Sequence, residues 1–353
     1  MGLTRSAVIY SDKAQGAQKL RMMNSGASWI GRHSIVTAIA AFALIAASAA
    51  SCAQGYPSRS IRLVVAFPPG GTSDVVARTL AQKLNEGLGQ PVIVENRPGA
   101  GGNLGAEFVA KAPADGYTLL VCTPAELAIN VSLYSKMPFD PLKDFSPVTL
   151  ATSAPLILVV HPALPAKTVR ELIALAKSRP GELNFGSAGG GSSPHMALEL
   201  LREIAGIRIN HVPYKGTAPA ITDLLGGHVQ AFFSGMPPAL PQVRAGKLRA
   251  LAVTTAKRTS LMPELPTMVE SGLRDFVIDN WQGVLSPANT SRDIVSRLNS
   301  EIVKILALPD IKQRLSEQGA EPAGTTPEQF AAFIKSEIGK YAGIIRKSGA
   351  KVD

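Results

Sequence analysis

The sequence predicts an α/β protein whose two lobes face each other across a cleft. Strand-like and helical patterns alternate along most of the chain, which is typical of sheets flanked by helices, and we expect a mostly parallel sheet in each lobe. A strand, a glycine turn and a helix occur around residue 70, and a second such unit follows about 120 residues later. An apolar run interrupted by Pro155 and a strand-like run at residues 276–286 predict two crossings between the lobes.

The first unit spans residues 61–88. An apolar run rich in β-branched residues stops at Pro68-Pro69-Gly70-Gly71, which predicts a strand and a tight turn. Apolar residues then recur at helical spacing: Val75, Val76, Leu80, Leu84 and Leu88. Small turn residues allow a ligand to approach the backbone, and the start of a helix offers free amides and the positive end of the helix dipole. The pattern predicts an anion-binding turn that needs no arginine.

The second unit repeats this pattern. Gly190-Gly191-Ser192-Ser193 corresponds to Gly70-Gly71-Thr72-Ser73, and each set follows a phenylalanine-containing strand and precedes a helix. We therefore expect two glycine turns, one in each lobe, that converge on one anionic ligand.

The segments between and after these units follow the same alternation. Strands are predicted at residues 91–95, 117–122, 183–185, 207–212, 230–233 and 248–253. Helices are predicted at residues 101–112, 168–178, 218–225, 291–306, 309–318 and 327–347. Thr168 with Glu171 and Thr326 with Gln329 have the spacing of capping boxes. Thr123 follows a strand beside the first glycine turn, where a hydroxyl contact to a ligand and a helix cap are both open interpretations.

The N-terminal region has the pattern of a secretory leader. The apolar run at residues 35–50 is shorter than the roughly 20 residues that a membrane span needs, and the small residues after it fit cleavage near Ala53. Because the segment before it is long for a leader, we hypothesise that translation begins at Met22 or Met23. The expected organisation is a signal peptide at 1–53, a discontinuous first lobe at 54–153 plus 276–353, and a second lobe at 154–275.

Composition excludes several classes of function. The chain has 353 residues, of which 46% are hydrophobic and 18% charged, as in a globular protein. Removing residues 1–53 takes away five basic residues and one acid, which lowers the formal charge from +10 to +6. No basic run interleaved with aromatic residues occurs, so we expect no nucleic-acid binding. The five histidines show no spacing typical of metal ligands, so we expect neither a metal nor a cofactor.

Cysteine usage bears on anchoring. Cys52 lies at the cleavage region and Cys122 would be alone in the mature chain, which leaves no internal disulfide. Lipidation of Cys52 is a competing interpretation, although Ala49-Ala50-Ser51 lacks the leucine usual in a lipoprotein signal.

Several further motifs join the glycine turns in one order along the chain. They are Glu95-Asn-Arg-Pro-Gly-Ala-Gly-Gly-Asn-Leu-Gly105, Asp115-Gly-Tyr-Thr-Leu-Leu, Val212-Pro-Tyr-Lys-Gly216, Gly246-Lys-Leu-Arg-Ala-Leu-Ala-Val253 and Trp281-Gln-Gly. Together they resemble the Bug-type extracytoplasmic solute receptors of the tripartite tricarboxylate transporters. The resemblance implies a type II periplasmic-binding-protein fold and a periplasmic, monomeric receptor that is not an enzyme. It also implies capture of a small organic carboxylate for cognate membrane transporter subunits, without indicating which carboxylate.

The candidate ligand-binding residues lie in loops that precede helices. They are Pro69, Gly70, Gly71, Thr72, Asp74, Thr123, Ser187, Ala188, Gly191, Ser192, His195, Tyr214, Lys215, Gly216 and Thr217. Asp74 could serve the helix dipole or accept a bond from the ligand, and Lys215 could pair with a carboxylate or remain solvated. Bracing of the turn is favoured over ligand binding for His195. For Trp281 a core or hinge role is favoured over a place in the cleft wall.

Two alternatives use the same cleft. A secreted hydrolase-like α/β enzyme would employ Ser192, His195 and Asp74, but Pro194 stands where a nucleophile elbow needs its last glycine. A receptor recruited for signalling would need a partner that the sequence does not reveal.

Overall fold

Two sheets organise the structure, a computed structural model that describes residues 55–352. The first sheet has six strands in the order β11-β4-β10-β3-β1-β2. Its strands are β1 (Ile61–Val65), β2 (Val92–Asn96), β3 (Thr118–Cys122), β4 (Phe145–Ser153), β10 (Gln282–Pro287) and β11 (Glu321–Pro322). The second sheet has five strands in the order β7-β6-β8-β5-β9. Its strands are β5 (Leu156–Val160), β6 (Asn184–Ser187), β7 (Asn210–Pro213), β8 (Ala231–Gly235) and β9 (Arg249–Val253).

Helices flank both sheets and bury an apolar face against them. With the first sheet lie α1 (Thr72–Leu88), α2 (Asn103–Ala110), α3 (Asn130–Leu133), α8 (Arg292–Ala307), α9 (Pro309–Ser316) and α10 (Pro327–Ser348). With the second sheet lie α4 (Val169–Ser178), α5 (Ser193–Ala205), α6 (Thr217–Leu225) and α7 (Met236–Arg244). A wide π-type helical turn, Ala125–Ile129, joins β3 to α3. None of the helices in the described part of the chain is long and apolar enough to span a membrane.

The α/β class is confirmed, but the sheets are mixed rather than mostly parallel. β1 pairs in parallel with β2 and β3, and β6 with β7 and β8, whereas β10 and β5 run antiparallel to their neighbours. The reason is the pair of crossings. A strand that crosses over from the other sheet enters this sheet from the end at which its parallel strands finish. It therefore runs antiparallel to them.

The crossings use strands of both sheets. The apolar run around Pro155 divides into β4 of the first sheet and β5 of the second. The return segment follows Asp279, whose carboxylate accepts hydrogen bonds from the Ser153 hydroxyl at 2.5 Å and the Ala154 amide at 3.1 Å. These bonds hold the outgoing and returning crossing segments side by side.

Some predicted elements differ from the structure. The return strand begins at Gln282 rather than at residue 276, because residues 276–281 belong to the crossing. Helix α7 was not predicted; two of its three prolines occupy its first turn, where proline costs no hydrogen bond. Both predicted N-caps are present, with Thr168 accepting from the Glu171 amide and Thr326 forming the full capping box. The predicted leader, start codon and Cys52 lie outside the described residues.

Candidate functional site

A polar cavity lies where the two sheets meet, and we call it the inner compartment. Its volume is about 50 Å³, compared with a share of about 30 Å³ for one molecule of liquid water. It is lined by Phe67, Pro68, Gly71, Thr72, Ser73, Thr123, Ala188, Ser192, Ser193, Pro194, Thr217, Asn280 and Gln282. Because the lining comes from the ends of strands in both sheets and from the return crossing, any occupant contacts both halves of the molecule.

A larger cavity of about 420 Å³ adjoins it, and we call this the outer compartment. The two share Phe67, Pro68 and Ala188 as lining. The remaining lining consists of Ala66, Pro98, Gly99, Ala100, Gly101, Gly102, Gly189, Tyr214, Lys215 and Gly216. Apart from Lys215 and Tyr214, this wall is apolar carbon and backbone. The site therefore has a small polar end and a roomier, mostly apolar end.

Glycines permit the two halves to approach closely at this site. A Cβ on Gly216 would lie 2.9 Å from Cγ of Pro68, and the φ of Gly216 is +118°. A Cβ on Gly101 would lie 2.7 Å from the carbonyl oxygen of Gly190. Side chains at either position would force the sheets apart.

The first glycine turn, residues 68–73, presents an uncapped helix. Gly71 is the N-cap of α1 and no side chain caps it. The first intrahelical bond runs from the Val75 amide to the Gly71 carbonyl, at 3.1 Å. Within the described residues, the amides of Thr72, Ser73 and Asp74 have no protein acceptor. Thr72 and Ser73 line the inner compartment, so their amides at the positive end of α1 favour an anion there.

Asp74 braces this turn from inside. Its carboxylate accepts from the Gly70 backbone amide at 3.1 Å, from Nε and Nη2 of Arg78 at 3.0 Å each, and from the side-chain amide of Asn96 at 2.9 Å. Burial alone would raise the pKa of Asp74, but the bonds from Arg78, Gly70 and Asn96 outweigh burial and lower it. Asp74 is thus ionised and fully engaged with protein partners, which favours the structural interpretation over ligand contact.

The second glycine turn, residues 189–193, differs because its helix is capped. The Ser192 hydroxyl accepts from the His195 amide at 3.4 Å and donates to the Gly189 carbonyl at 2.7 Å. Pro194 carries no amide proton, so only Ser193 of this first turn keeps an amide without a protein acceptor among the described residues. The second turn therefore offers fewer donors than the first.

Two stacked imidazoles brace the second turn. His195 Nδ1 accepts from the Gly191 amide at 3.2 Å, and the His195 and His211 rings stack with centroids 4.2 Å apart. His211 Nε2 is 2.6 Å from the hydroxyl of Ser187, which is fully buried. Burial, with the neighbouring His195, lowers the pKa of His211 to about 4. The bracing role expected of His195 agrees with this geometry.

A further helix start supplies donors from the second sheet. Helix α6 has Gly216 as its N-cap with no side-chain cap, and Thr217 lines the inner compartment. Among described residues the amides of Thr217 and Ala218 have no protein acceptor. Tyr214, just before this start, donates its hydroxyl to Asp223 at 2.7 Å, and burial with this bond raises its pKa to about 12. Its ring lines the outer compartment, whereas its hydroxyl is engaged elsewhere.

The predicted site residues divide into two groups. Those that line a compartment are Gly71, Thr72, Thr123, Ala188, Ser192, Tyr214, Lys215, Gly216 and Thr217. Those outside the described lining of both compartments are Pro69, Gly70, Asp74, Ser187, Gly191 and His195. Gly70 and Gly191 share one feature, because each amide donates to a side chain four residues later, Asp74 and His195 respectively. Ser187 is likewise occupied, by His211.

Sequence reasoning missed Asn280 and Gln282 of the return crossing. Gln282 is fully buried, accepts from the Thr152 hydroxyl at 2.7 Å and donates to the Asn280 carbonyl at 2.6 Å. The neighbouring Trp281 packs in the core, where Nε1 donates to Glu337 at 2.8 Å. Alternation along the return strand was the available signal, because it turns Trp281 to the core and its two neighbours to the cleft.

The side chains of Ser192, His195 and Asp74, named for the enzyme alternative, are not hydrogen-bonded to one another as a triad. His195 uses Nδ1 for the Gly191 amide and has Nε2 at 3.5 Å from Glu199, so neither ring nitrogen is bonded to the Ser192 hydroxyl. Asp74 lies on α1, with the first sheet, and its carboxylate is paired with Arg78 of the same helix. Among the described residues, no three His, Cys, Asp or Glu side chains are grouped so that they could hold a metal.

Comparisons with known proteins agree with this geometry. A family model described as the tripartite tricarboxylate transporter family receptor matches residues 76–350. Protein BugT of Bordetella pertussis is 44% identical over 301 residues, which cover 85% of this chain and 92% of that protein.

Solved structures of similar proteins share the fold of this chain. A protein of R. palustris, Rpa4515 with adipate, superposes with a TM-score of 0.82 at 38% identity, covering 84% of this chain and 100% of the other. MatC of Rhodopseudomonas palustris with bound malate gives a TM-score of 0.79 at 33% identity, covering 82% and 100%. The periplasmic binding protein BugD gives 0.80 at 34% identity, covering 84% and 99%.

Proposed function

The chain belongs to the receptor family of the tripartite tricarboxylate transporters, and from this premise we propose that it binds an extended dicarboxylate between its lobes. One carboxylate occupies the inner compartment and the carbon chain lies in the outer compartment. We further propose that the lobes are residues 54–153 plus 276–353 and residues 154–275, and that the receptor works in the periplasm.

One observation carries the proposal. Two uncapped helix starts, those of α1 and α6, come from different sheets and contribute to the same small cavity. Thr72 and Thr217 of the lining add hydroxyl donors without adding charge. A carboxylate there satisfies amides that are otherwise without acceptors, and it does so only when both lobes are in contact with it.

The outer compartment supports an extended ligand. Its volume is about 420 Å³, its wall is mostly apolar, and Lys215 at its exposed side can pair with a second carboxylate. Adipate and malate, the ligands named for two solved relatives, are both dicarboxylates. They differ in chain length, so together they test whether the outer compartment requires a long chain.

Closure links binding to delivery. A ligand held by donors of both lobes favours the closed arrangement, which a membrane partner can distinguish from the open one. We propose that the cognate transporter subunits receive the ligand from the closed form.

The experiment is calorimetry and thermal shift on the protein spanning residues 54–353. Adipate and malate are compared with adipamide and malamide, neutral analogues of nearly the same shape. We expect stabilisation by the acids, about 2.7 kcal/mol at a hundredfold excess over Kd, and none by the amides. Equal effects from acids and amides, or no binding of any carboxylate, would contradict the proposal.

Recovery of the ligand tests the enzymatic alternative in the same samples. Proton NMR of adipate after prolonged incubation is expected to show an unchanged spectrum. Conversion of the ligand at a rate proportional to protein concentration would instead identify an enzyme.

A further inference from the structure

A buried carboxyl group without a cation lies directly behind the inner compartment. Glu126 is in the π-type turn after β3 and its side chain has no exposed surface. Its carboxyl oxygens bond to the Thr123 amide at 2.9 Å and to the Thr123 hydroxyl at 2.6 Å, and its own backbone amide also interacts with them. No lysine, arginine or histidine of the described residues forms an ion pair with it. Burial of an unpaired carboxylate is costly, so the protonated form is accessible.

Thr123 connects this group to the ligand site. Its side chain lines the inner compartment and is 6% exposed. A hydroxyl has one proton to donate and two lone pairs to accept with. The Ala125 amide, at 3.2 Å, occupies one lone pair. What the Thr123 hydroxyl offers to the cavity therefore depends on its bond with Glu126.

The two protonation states of Glu126 have opposite effects on what the Thr123 hydroxyl offers to the ligand. When Glu126 is ionised, the Thr123 hydroxyl donates to it and leaves only a lone pair for the cavity, which repels a ligand carboxylate. When Glu126 is protonated, its own hydroxyl donates to Thr123. The Thr123 proton is then free to donate to a carboxylate oxygen in the inner compartment.

We propose that Glu126 is a positioning residue that, through Thr123, couples binding of the ligand carboxylate to the uptake of one proton. This inference rests on the proposed function and adds to it that the receptor binds more tightly as the medium becomes more acidic.

The surroundings allow both states near neutral pH. Burial raises the pKa of Glu126 to about 7, against which the two bonds from Thr123 act only in part. Buried titratable groups on the elements packed against this turn are Cys122, His195, Glu199, Glu337 and Tyr341. Of these, Cys122 interacts electrostatically with Glu126, and burial together with that carboxylate raises the pKa of its thiol, which stays neutral. Glu126 is therefore the titrating group that faces Thr123.

The local backbone agrees with a role in binding. π-type turns are rare and frequently occur at functional sites, and here the turn contains Glu126, which bonds back to Thr123 three residues before it.

The test is calorimetry with adipate and with malate from pH 5.5 to 8.5, in pairs of buffers with different ionisation enthalpies. For the wild type we expect Kd to rise by up to about tenfold per pH unit above pH 7, with uptake approaching one proton per ligand. Glu126→Gln mimics the protonated state, since its carbonyl accepts from the Thr123 amide and its NH₂ donates to the hydroxyl. Its Kd should be independent of pH and lower than that of the wild type at pH 8.5.

Two hydroxyl variants complete the design. Thr123→Val should weaken binding and abolish proton uptake. Thr217→Val, which removes a hydroxyl from the other side of the same cavity, should weaken binding and leave proton uptake unchanged.

The outcomes separate this inference from the proposed function. Binding of either acid with a flat pH profile in the wild type, or an unchanged pH slope in Glu126→Gln, would overturn the inference alone. Failure of both acids to bind at every pH would overturn the proposed function, and this inference with it.

Discussion

The two glycine turns have similar sequences, but their chemistry differs. In each, the side chain four residues after a glycine occupies that glycine's amide: Asp74 for Gly70 and His195 for Gly191. Beyond this common brace, α1 begins without a side-chain cap, whereas Ser192 caps α5. The first turn of α1 therefore has three amides without a protein acceptor among the described residues, whereas the first turn of α5 has one, that of Ser193.

Free amides of the kind expected at the second turn also occur at another helix. The start of α6 is uncapped and reaches the inner compartment through Thr217. A glycine turn before a helix therefore indicates available amides only when neither an N-cap side chain nor a nearby acceptor occupies them.

The largest expected effect comes from supplying the first turn with its own carboxylate. Gly71 has an ordinary N-cap conformation, and a Cβ there would be 3.8 Å from the Thr217 hydroxyl oxygen, so Gly71→Asp fits. Its carboxylate would cap the free amides and repel the ligand by about 4 kcal/mol at 4 Å, an affinity loss of about a thousandfold. Calorimetry with adipate measures the loss. Thermal unfolding should show an unchanged or raised Tm, because a cap is added.

Gly71→Asn is the matched control for this change. It supplies a cap of the same size without charge, so its affinity loss should be smaller than that of Gly71→Asp. Unchanged adipate affinity in both variants would show that the first turn does not hold the carboxylate.

Acidification should change the stability contributions of Glu126, beside the first sheet, and His211, in the second sheet, in opposite directions. Glu126 has a raised pKa, so the stability it contributes is present at low pH and is lost as pH rises from about 4.5 through about 7. His211 has a lowered pKa, so its contribution is present above pH 6.5 and is lost as pH falls toward about 4. Each shift corresponds to at most about 3 kcal/mol, and less for His211 because its ring is only half-buried.

Urea unfolding between pH 4 and 8 separates these contributions. Relative to the wild type, Glu126→Gln should gain stability as pH rises, and His211→Phe should gain stability as pH falls. The slope of the difference with pH is the informative quantity, since a constant offset reflects packing alone. Parallel curves for either variant would contradict the corresponding shift.

The sequence predicted the strand, turn and helix units, the two crossings and most helix boundaries, because these depend on local periodicity and turn chemistry. It could not show which amides remain free. The partners that hold the braces in place are distant along the chain: Asn96 on β2 reaches Asp74, and His211 on β7 stacks on His195. Asn280 and Gln282 were missed because the alternation about Trp281 indicates which side chains share a face, but not that this face borders the cavity.

A smaller effect should come from the charged brace of the first turn. Asp74→Asn keeps the volume but removes the charge that Arg78 and Asn96 approach, at a cost of about 2 kcal/mol in unfolding free energy. Because the pKa of Asp74 is lowered, its contribution is present above pH 3.8 and is lost as pH falls through the folded-state value. Urea unfolding at pH 7 and at pH 3 should thus show a difference from wild type that shrinks in acid. A difference that is constant with pH would assign the effect to packing instead.

The smallest effect, and the sharpest contrast between the turns, should come from the cap of the second turn. Ser192→Ala removes the acceptor of the His195 amide and should cost about 1 kcal/mol of stability, visible as a lower Tm. Affinity for adipate should fall less than tenfold, since the amides that hold the carboxylate belong to α1 and α6. The reciprocal variant, Gly71→Ser, gives the first turn a cap and should lose more affinity than stability. If Ser192→Ala instead lost affinity without losing stability, the second turn would be a binding element like the first, and the division of labour between them would be wrong.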